Sequence, residues 1–176
     1  MHRVYLDNNA TTPVLPEILA AMQSYFTERF GNASSIHRHG QETRAAVERA
    51  RESVAALLGC KPSEIVFTSG GTEGDNLAIF GLADIVVTQP GQHVITSTVE
   101  HHAVLNSCKR LEASGCEVTY VPVDSRGQVD PNDVRRALRP NTRLITIMMA
   151  NNETGVLQPV EAVSYTHLTL PTIYSV

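Results

Sequence analysis

The stretch TSGGTEGDNLAI, residues 68–79, follows the apolar segment EIVF and places Gly70 and Gly71 side by side just before a predicted helix. Adjacent glycines allow a tight turn with exposed backbone amides. The first N–H groups of a helix lack partners within it and form an anion site, to which the Thr72 hydroxyl adds a donor. The stretch therefore predicts a phosphate-binding turn, with an ordinary glycine turn as the alternative. The spacings typical of ATP and NAD loops are absent.

Segments typical of strands alternate with helical segments from residue 64 onward. The strand-like segments are EIVF (64–67), HVITS (93–97), EVTYV (117–121) and RLITIMM (143–149). This alternation predicts an α/β fold with a mainly parallel sheet. Ligands bind such sheets at the carboxyl ends of the strands. The loops that follow residues 68, 98 and 149 are therefore the candidate sites.

The two ends of the chain differ from this central pattern. Residues 1–15 read as an arm, after which a helix begins at Pro16, and a long amphipathic helix is stopped by Gly59. Residues 163–176 contain no Asp, Glu, Lys or Arg. We expect an arm over 1–15, a domain over 16–162 and an atypical tail over 163–176. The tail is either an edge strand or extended arm, or the product of a truncated or mis-joined reading frame.

Two further loops carry polar side chains to the predicted ligand edge. His101 in STVEHHAV can stack on a flat ring and exchange protons, or it can be a capping or surface histidine. Asn151 and Asn152 in MMANNETG can orient a phenolic oxygen or a carboxylate, or they can form a turn. Because three polar loops converge on one sheet edge, the functional interpretation gains weight over the separate alternatives.

Composition excludes several classes of protein. The sequence is 42% hydrophobic and 18% charged, as a globular core requires, and its net charge of -4 gives no basic surface for nucleic acid. No apolar run is long enough for a membrane span, and the first residues lack the apolar region of a signal peptide, so we expect a cytoplasmic protein. Cys60, Cys108 and Cys116 have no metal-ligand spacing, and we predict small buried or half-buried thiols and no metal site.

Five segments in order resemble the cysteine desulfurases, which are class V, fold type I enzymes that use pyridoxal 5'-phosphate. These segments are YLDNNATTP, FGNASSIH, FTSGGTEGDNLAI, ITSTVEHHAVL and MMANNETGVLQP. The resemblance implies an incomplete large domain of that fold, with helices on both faces of the sheet, after an arm and a helix. It further implies that Gly71 and Thr72 bind the cofactor phosphate, that the catalytic His101 stacks on the pyridine ring, and that Asn152 lies near the ring hydroxyl and substrate.

The resemblance also implies a reaction and partners. L-Cysteine would become L-alanine, with sulfur passed to an enzyme cysteine as a persulfide for iron-sulfur cluster and thio-cofactor synthesis. The implied assembly is a homodimer that meets an iron-sulfur scaffold or sulfur-acceptor protein. Members of the family are longer, and their cofactor lysine and mobile cysteine loop have no counterpart here, so we expect this chain to be inactive alone. Two alternatives stay open: another class V enzyme, such as a selenocysteine lyase or aminotransferase, or a non-catalytic interaction fragment.

Overall fold

The computed structural model describes residues 3–81 and 91–165 together with the backbone of Thr172–Ile173. The chain forms two compact units, Met1–Phe67 and Thr68–Val176. In the described part of the chain, no helix is both long and apolar enough to cross a bilayer.

The first unit consists of the arm and two helices that the sequence predicts. Helix α1 spans Pro16–Thr27, with its proline in the first turn, and α2 spans Arg38–Leu58. Gly59 ends α2 in the left-handed conformation, at φ 68°, which a residue with a side chain adopts only at a cost. The predicted stop at Gly59 is therefore confirmed.

The strand predicted at EIVF, by contrast, is wrong. A 3₁₀ turn covers Pro62–Glu64, and no strand is assigned to residues 65–67 of the first unit, although the backbone of Ile65 is extended. Arg51 on α2 donates a hydrogen bond to the carbonyl of Ile65 and lies over the ring of Phe67, 5.1 Å from its centroid. An extended segment is a strand when its backbone forms hydrogen bonds with a neighbouring strand. Here the guanidinium of Arg51 binds the carbonyl of Ile65 instead.

The second unit alternates helices with strands as predicted. Its elements are α3 (Gly71–Gly81), β1 (His93–Ser97), α4 (His102–Ala113), β2 (Glu117–Val121), α5 (Pro131–Ala137), β3 (Thr142–Thr146), α6 (Val160–Tyr165) and β4 (Thr172–Ile173). Asp130 caps α5 by accepting a hydrogen bond from the N–H of Asn132 at 2.8 Å, so the predicted cap is confirmed.

The four strands of the described residues form one parallel sheet in the order β2-β1-β3-β4. Every residue of the central strand β1 is buried. The backbone of β4 pairs with Ile145 and Thr146 of β3, and α6 runs through residues 163–165. Part of the segment 163–176 thus adopts regular structure in this chain, and its remaining residues lie outside the described part.

Helices cover both faces of the sheet. Since neighbouring residues of a strand point to opposite sides, each strand contributes to two separate clusters of buried residues. Val94 and Leu144 belong to a buried cluster with residues of α3 and α4, including Ile79 and Leu111. The next residues along each strand, Ile95 and Ile145, belong to a second cluster with residues of α5 and α6, which are Val134 and Val163. The predicted α/β architecture with helices on both faces of a parallel sheet is confirmed.

Candidate functional site

The loops after β1 and β3 lie at the carboxyl edge of the sheet and enclose a cavity of about 330 Å³. His101 and Asn152 are among its lining residues. Cavities of this size accommodate small ligands, and the carboxyl edge is where parallel sheets bind them. The structure thus brings together two of the four predicted site residues, while Gly71 and Thr72 do not line this cavity.

His101 combines a capping role with an exposed ring. It is the N-cap of α4, and its Nδ1 accepts a hydrogen bond from the N–H of Ala103 at 3.1 Å. Since Nδ1 is the acceptor, the neutral ring carries its proton on Nε2. The residue is exposed. Capping therefore fixes the orientation of the imidazole while leaving the ring available for a ligand, so the two interpretations of His101 are compatible.

The adjacent asparagines divide their roles. Asn151 is the turn former: its Oδ1 accepts from the N–H groups of Glu153 and Thr154 at 3.0 and 2.9 Å. Its Nδ2 donates to the carbonyl of Val99 at 3.0 Å, which joins the two loops. Asn152 is exposed at the cavity. The alternative of a turn-forming asparagine thus applies to Asn151, and Asn152 is the one whose exposed side chain lines the cavity.

The glycine turn is unexplained by the protein around it. Neither Gly70 nor Gly71 has a positive φ, and a Cβ added to either would meet no heavy atom within 4 Å. In the part of the chain that the structure describes, the N–H groups of Gly71 and Thr72 have no hydrogen-bond acceptor. Neither backbone conformation nor packing requires glycine here, so the turn fits a group from outside this chain that approaches the free amides, such as a phosphate.

An acidic side chain orders the turn without covering those amides. The Ser69 N–H and hydroxyl both donate to Oε2 of Glu73, at 2.6 and 2.5 Å. These two bonds, the side-chain one first, lower the pKa of the exposed Glu73. The carboxylate therefore fixes the entry to α3 and leaves the amides of the next two residues open.

Helix α3 packs against α4, which places the glycine turn and His101 on neighbouring elements. The Ser107 hydroxyl donates to Oδ1 of Asn76 at 2.6 Å. Asp75, one turn beyond Gly71, has its pKa raised by burial, and the nearby imidazole of His101 acts in the opposite direction. The carboxyl of Asp75 thus lies within electrostatic reach of His101.

Glu100 is a site residue that sequence reasoning missed. It lines the cavity and is 5% exposed. Its Oε1 accepts hydrogen bonds from the Ser97 hydroxyl and the Met148 N–H, both at 2.8 Å. Burial raises the pKa of Glu100, and the charge of Asp75 adds to this, while the two hydrogen bonds oppose it. The available signal was an acid directly before the histidine of a predicted ligand loop.

All three thiols of this chain lie in the buried or half-buried environment that the sequence predicts. Cys108 is fully buried, and burial raises its pKa to about 12. Cys116 is also buried and donates to the carbonyl of Gln92 at 3.1 Å, while Cys60 is half-buried. A thiol that stays protonated is a poor nucleophile. Among the described residues, no three His, Cys, Asp or Glu side chains are grouped so that they could hold a metal ion.

Residues 4–169 match the aminotransferase class-V family, and the chain belongs to that family. A cysteine desulfurase IscS of Dictyoglomus turgidum is 55% identical over 161 residues, which are 92% of this chain and 41% of that protein. A solved NifS-like protein is 40% identical with a TM-score of 0.91, over 98% of this chain and 48% of that one. SspA in complex with cysteine is 41% identical, also at 0.91, over 97% and 49%. The chain therefore spans less than half the length of these relatives.

Proposed function

We propose that this chain supplies the phosphate-binding and ring-binding part of a cysteine desulfurase that uses pyridoxal 5'-phosphate. The observation that carries the proposal is the glycine turn, whose amides are open and whose glycines nothing in the described chain requires. Relatives named cysteine desulfurase support the reaction, and the solved SspA bound to cysteine supports L-cysteine as the substrate.

Each predicted residue has a part in this proposal. The amides of Gly71 and Thr72, with the Thr72 hydroxyl, bind the phosphate through charge-assisted hydrogen bonds. The ring of His101 stacks on the pyridine ring, and its Nε2 exchanges a proton with the substrate. Asn152 orients the ring hydroxyl and the substrate. When bound, the cofactor supplies an electron sink for breaking the carbon-sulfur bond.

Two groups that the reaction needs come from outside these 176 residues in our proposal. The lysines of this sequence are Lys61 and Lys109, and both are exposed. The buried Cys108, with its pKa of about 12, does not supply the thiolate that accepts sulfur. The proposal therefore includes the cofactor lysine and the nucleophilic cysteine of the longer protein, a homodimer, a sulfur-acceptor or iron-sulfur scaffold protein, and a cytoplasmic location.

One observation favours a second candidate, a non-catalytic interaction fragment. Large apolar side chains of the first unit are exposed, among them Leu6 at 84%, Phe26 at 71% and Phe30 at 69%. Exposed apolar groups in such number mark a surface that another polypeptide covers. Size-exclusion chromatography with a full-length desulfurase tests this candidate, because co-elution supports it and separate elution argues against it.

A non-covalent probe tests the cofactor site directly. Pyridoxine 5'-phosphate has the ring and phosphate of the cofactor but no aldehyde, so it cannot react with Lys61 or Lys109. We expect binding by calorimetry, with NMR shifts at the amides of Gly71 and Thr72 and at the ring of His101. Thr72→Ala should weaken binding by about 1.5–3 kcal/mol, because a charge-assisted hydrogen bond is lost. Ser125→Ala, in an exposed turn, is the control. Shifts confined to other residues would contradict the site.

Turnover tests the remainder of the proposal. The 176-residue chain, given pyridoxal 5'-phosphate and L-cysteine, should release neither alanine nor sulfide, because no lysine of the chain is placed to hold the cofactor. Borohydride treatment should trap no stoichiometric cofactor on one lysine. Stoichiometric trapping at Lys61 or Lys109 would show that the chain has its own cofactor lysine.

A further inference from the structure

We propose that Glu100 is a positioning residue whose carboxyl group couples the loop that carries His101 to the loop that carries Asn152, and so sets the width of the cavity between them. This inference rests on the proposed function of the cavity. It assigns a role to a side chain that the stacking, phosphate-binding and proton-transfer roles leave unused.

The geometry of one oxygen carries the coupling. Oε1 of Glu100 accepts from the Ser97 hydroxyl, at the end of β1, and from the Met148 N–H, beyond the end of β3. The Ser97 bond is local, three residues along the chain, whereas the Met148 bond joins positions that are 48 residues apart. The Asn151 side chain makes a second link to the same loop through the carbonyl of Val99. The cavity is therefore held at two points.

The second carboxyl oxygen of Glu100 bears on the protonation state of this acid. Oε2 is buried and has no hydrogen-bond partner among the residues that the structure describes. A buried unpaired carboxylate is costly, so the neutral acid is favoured. The titratable groups that face Glu100 are Asp75 from α3 and Cys108 from α4. The wall of the cavity also includes His101, His102 and Glu153. The negative charge of Asp75 also favours the neutral acid.

Coupling through a neutral acid predicts different results for two variants. Glu100→Gln keeps an acceptor oxygen for Ser97 and Met148, so both loops should retain their hydrogen-exchange protection. Glu100→Ala removes the acceptor, and protection at the Met148 amide should fall about tenfold, as for one lost hydrogen bond. Glu161→Gln on α6, an exposed acid, is the matched control and should change neither loop.

A pH profile separates positioning from a merely structural role. In the wild type, the NMR shift of the Met148 amide should titrate with a midpoint above the ordinary range of a glutamate, since the acid that it binds has a raised pKa. In Glu100→Gln this titration should vanish while protection persists. A Met148 titration that survives in Glu100→Gln, or unchanged Met148 protection in Glu100→Ala, would overturn the proposal.

Two further measurements keep the proposal decidable. If Glu100→Ala fails to fold, Ser97→Ala removes one of the two bonds to Oε1, and the Met148 titration should then move to higher pH, because a bond that favours the charged form is lost. An unmoved titration would count against the coupling.

Pyridoxine 5'-phosphate should bind Glu100→Gln as it binds the wild type, and Glu100→Ala about tenfold more weakly. If the wild type does not bind this probe, the proposed function fails, whereas the coupling is still read in the ligand-free chain.

Discussion

Two histidines stand at opposite ends of β1, and their surroundings differ completely. His93 begins the strand and is fully buried, with Nδ1 and Nε2 each 2.8 Å from a threonine hydroxyl, those of Thr142 on β3 and Thr119 on β2. His101 follows the strand's other end, is exposed, and uses Nδ1 to cap α4. Its Nε2 has no hydrogen-bond partner in the part of the chain that the structure describes.

The difference shows which edge of the sheet serves the fold and which serves a ligand. At the amino edge, one imidazole ties three strands together, and both of its nitrogens are satisfied within the chain. At the carboxyl edge, Nε2 of His101 and Oε2 of Glu100 lack hydrogen-bond partners among the described residues. Buried polar groups in folded proteins are generally paired, and of these two atoms Oε2 of Glu100 is the buried one. Its missing partner, beside the exposed ring of His101, marks the carboxyl edge as the one with capacity for another molecule.

The largest expected effect is on stability at the amino edge. His93→Ala would leave a cavity and two threonine hydroxyls without their ring partner, and we expect the free energy of unfolding to fall by about 4 kcal/mol. Guanidinium unfolding monitored by circular dichroism measures it. His93→Gln, which retains a donor and an acceptor, should lose less. A loss below about 1 kcal/mol in the alanine variant would mean that the three-strand tie contributes little.

The contribution of the buried His93 to stability should depend on pH. Burial lowers the pKa of His93, Arg139 lowers it further, and Glu117 opposes both. At a pH between the two pKa values, His93 is protonated in the unfolded chain and neutral in the folded chain. The free energy of unfolding therefore falls as the pH drops from about 7, through the ordinary pKa of an imidazole and toward the lowered pKa of His93 in the folded chain. The difference in unfolding free energy between the wild type and His93→Gln should shrink from pH 7 to pH 5. A constant difference would contradict a neutral buried ring.

At the carboxyl edge, the expected effect moves from stability to binding. His101→Ala should cost about 1 kcal/mol of stability through the lost cap, and should weaken binding of pyridoxine 5'-phosphate up to about tenfold through the lost ring contact. His101→Asn separates the two effects, because asparagine is a good N-cap without a ring. We expect it to restore stability and not affinity, as measured by thermal unfolding and calorimetry. Restored affinity would show that His101 acts as a cap alone.

The smallest stability effect is expected at the glycine turn. Gly71→Ala should change the free energy of unfolding by less than about 1 kcal/mol, because an added Cβ meets open space. It should nevertheless weaken binding of the phosphate probe. Gly81→Ala, at the other end of α3 and equally open, should leave that binding unchanged. If both variants bind the probe equally well, the turn is an ordinary glycine turn.

The sequence predicted the sheet and its direction, and the structure adds corrections where contacts between distant residues decide. EIVF has strand-like composition, yet Arg51 takes the carbonyl of Ile65 and no strand is assigned there. The sequence does not distinguish which residue of the Asn151–Asn152 pair forms a turn and which could orient a ligand. In the structure, Asn151 stabilises the turn and donates to the carbonyl of Val99. The type of a residue determines which interactions its side chain can make, and the neighbouring residues in the fold determine which of them form.

By itself, the sequence determined what depends on residues close along the chain: the alternation of helices and strands, the Asp130 cap, the Gly59 stop and the exposed amides at the start of α3. Only the tertiary structure decided that His93 is structural and that Glu100 joins two loops. Their partners are remote in sequence, since Thr142 lies 49 positions from His93 and Met148 lies 48 from Glu100. Burial and pairing, which set the free energy and the protonation of these groups, exist only once the sheet has brought those positions together.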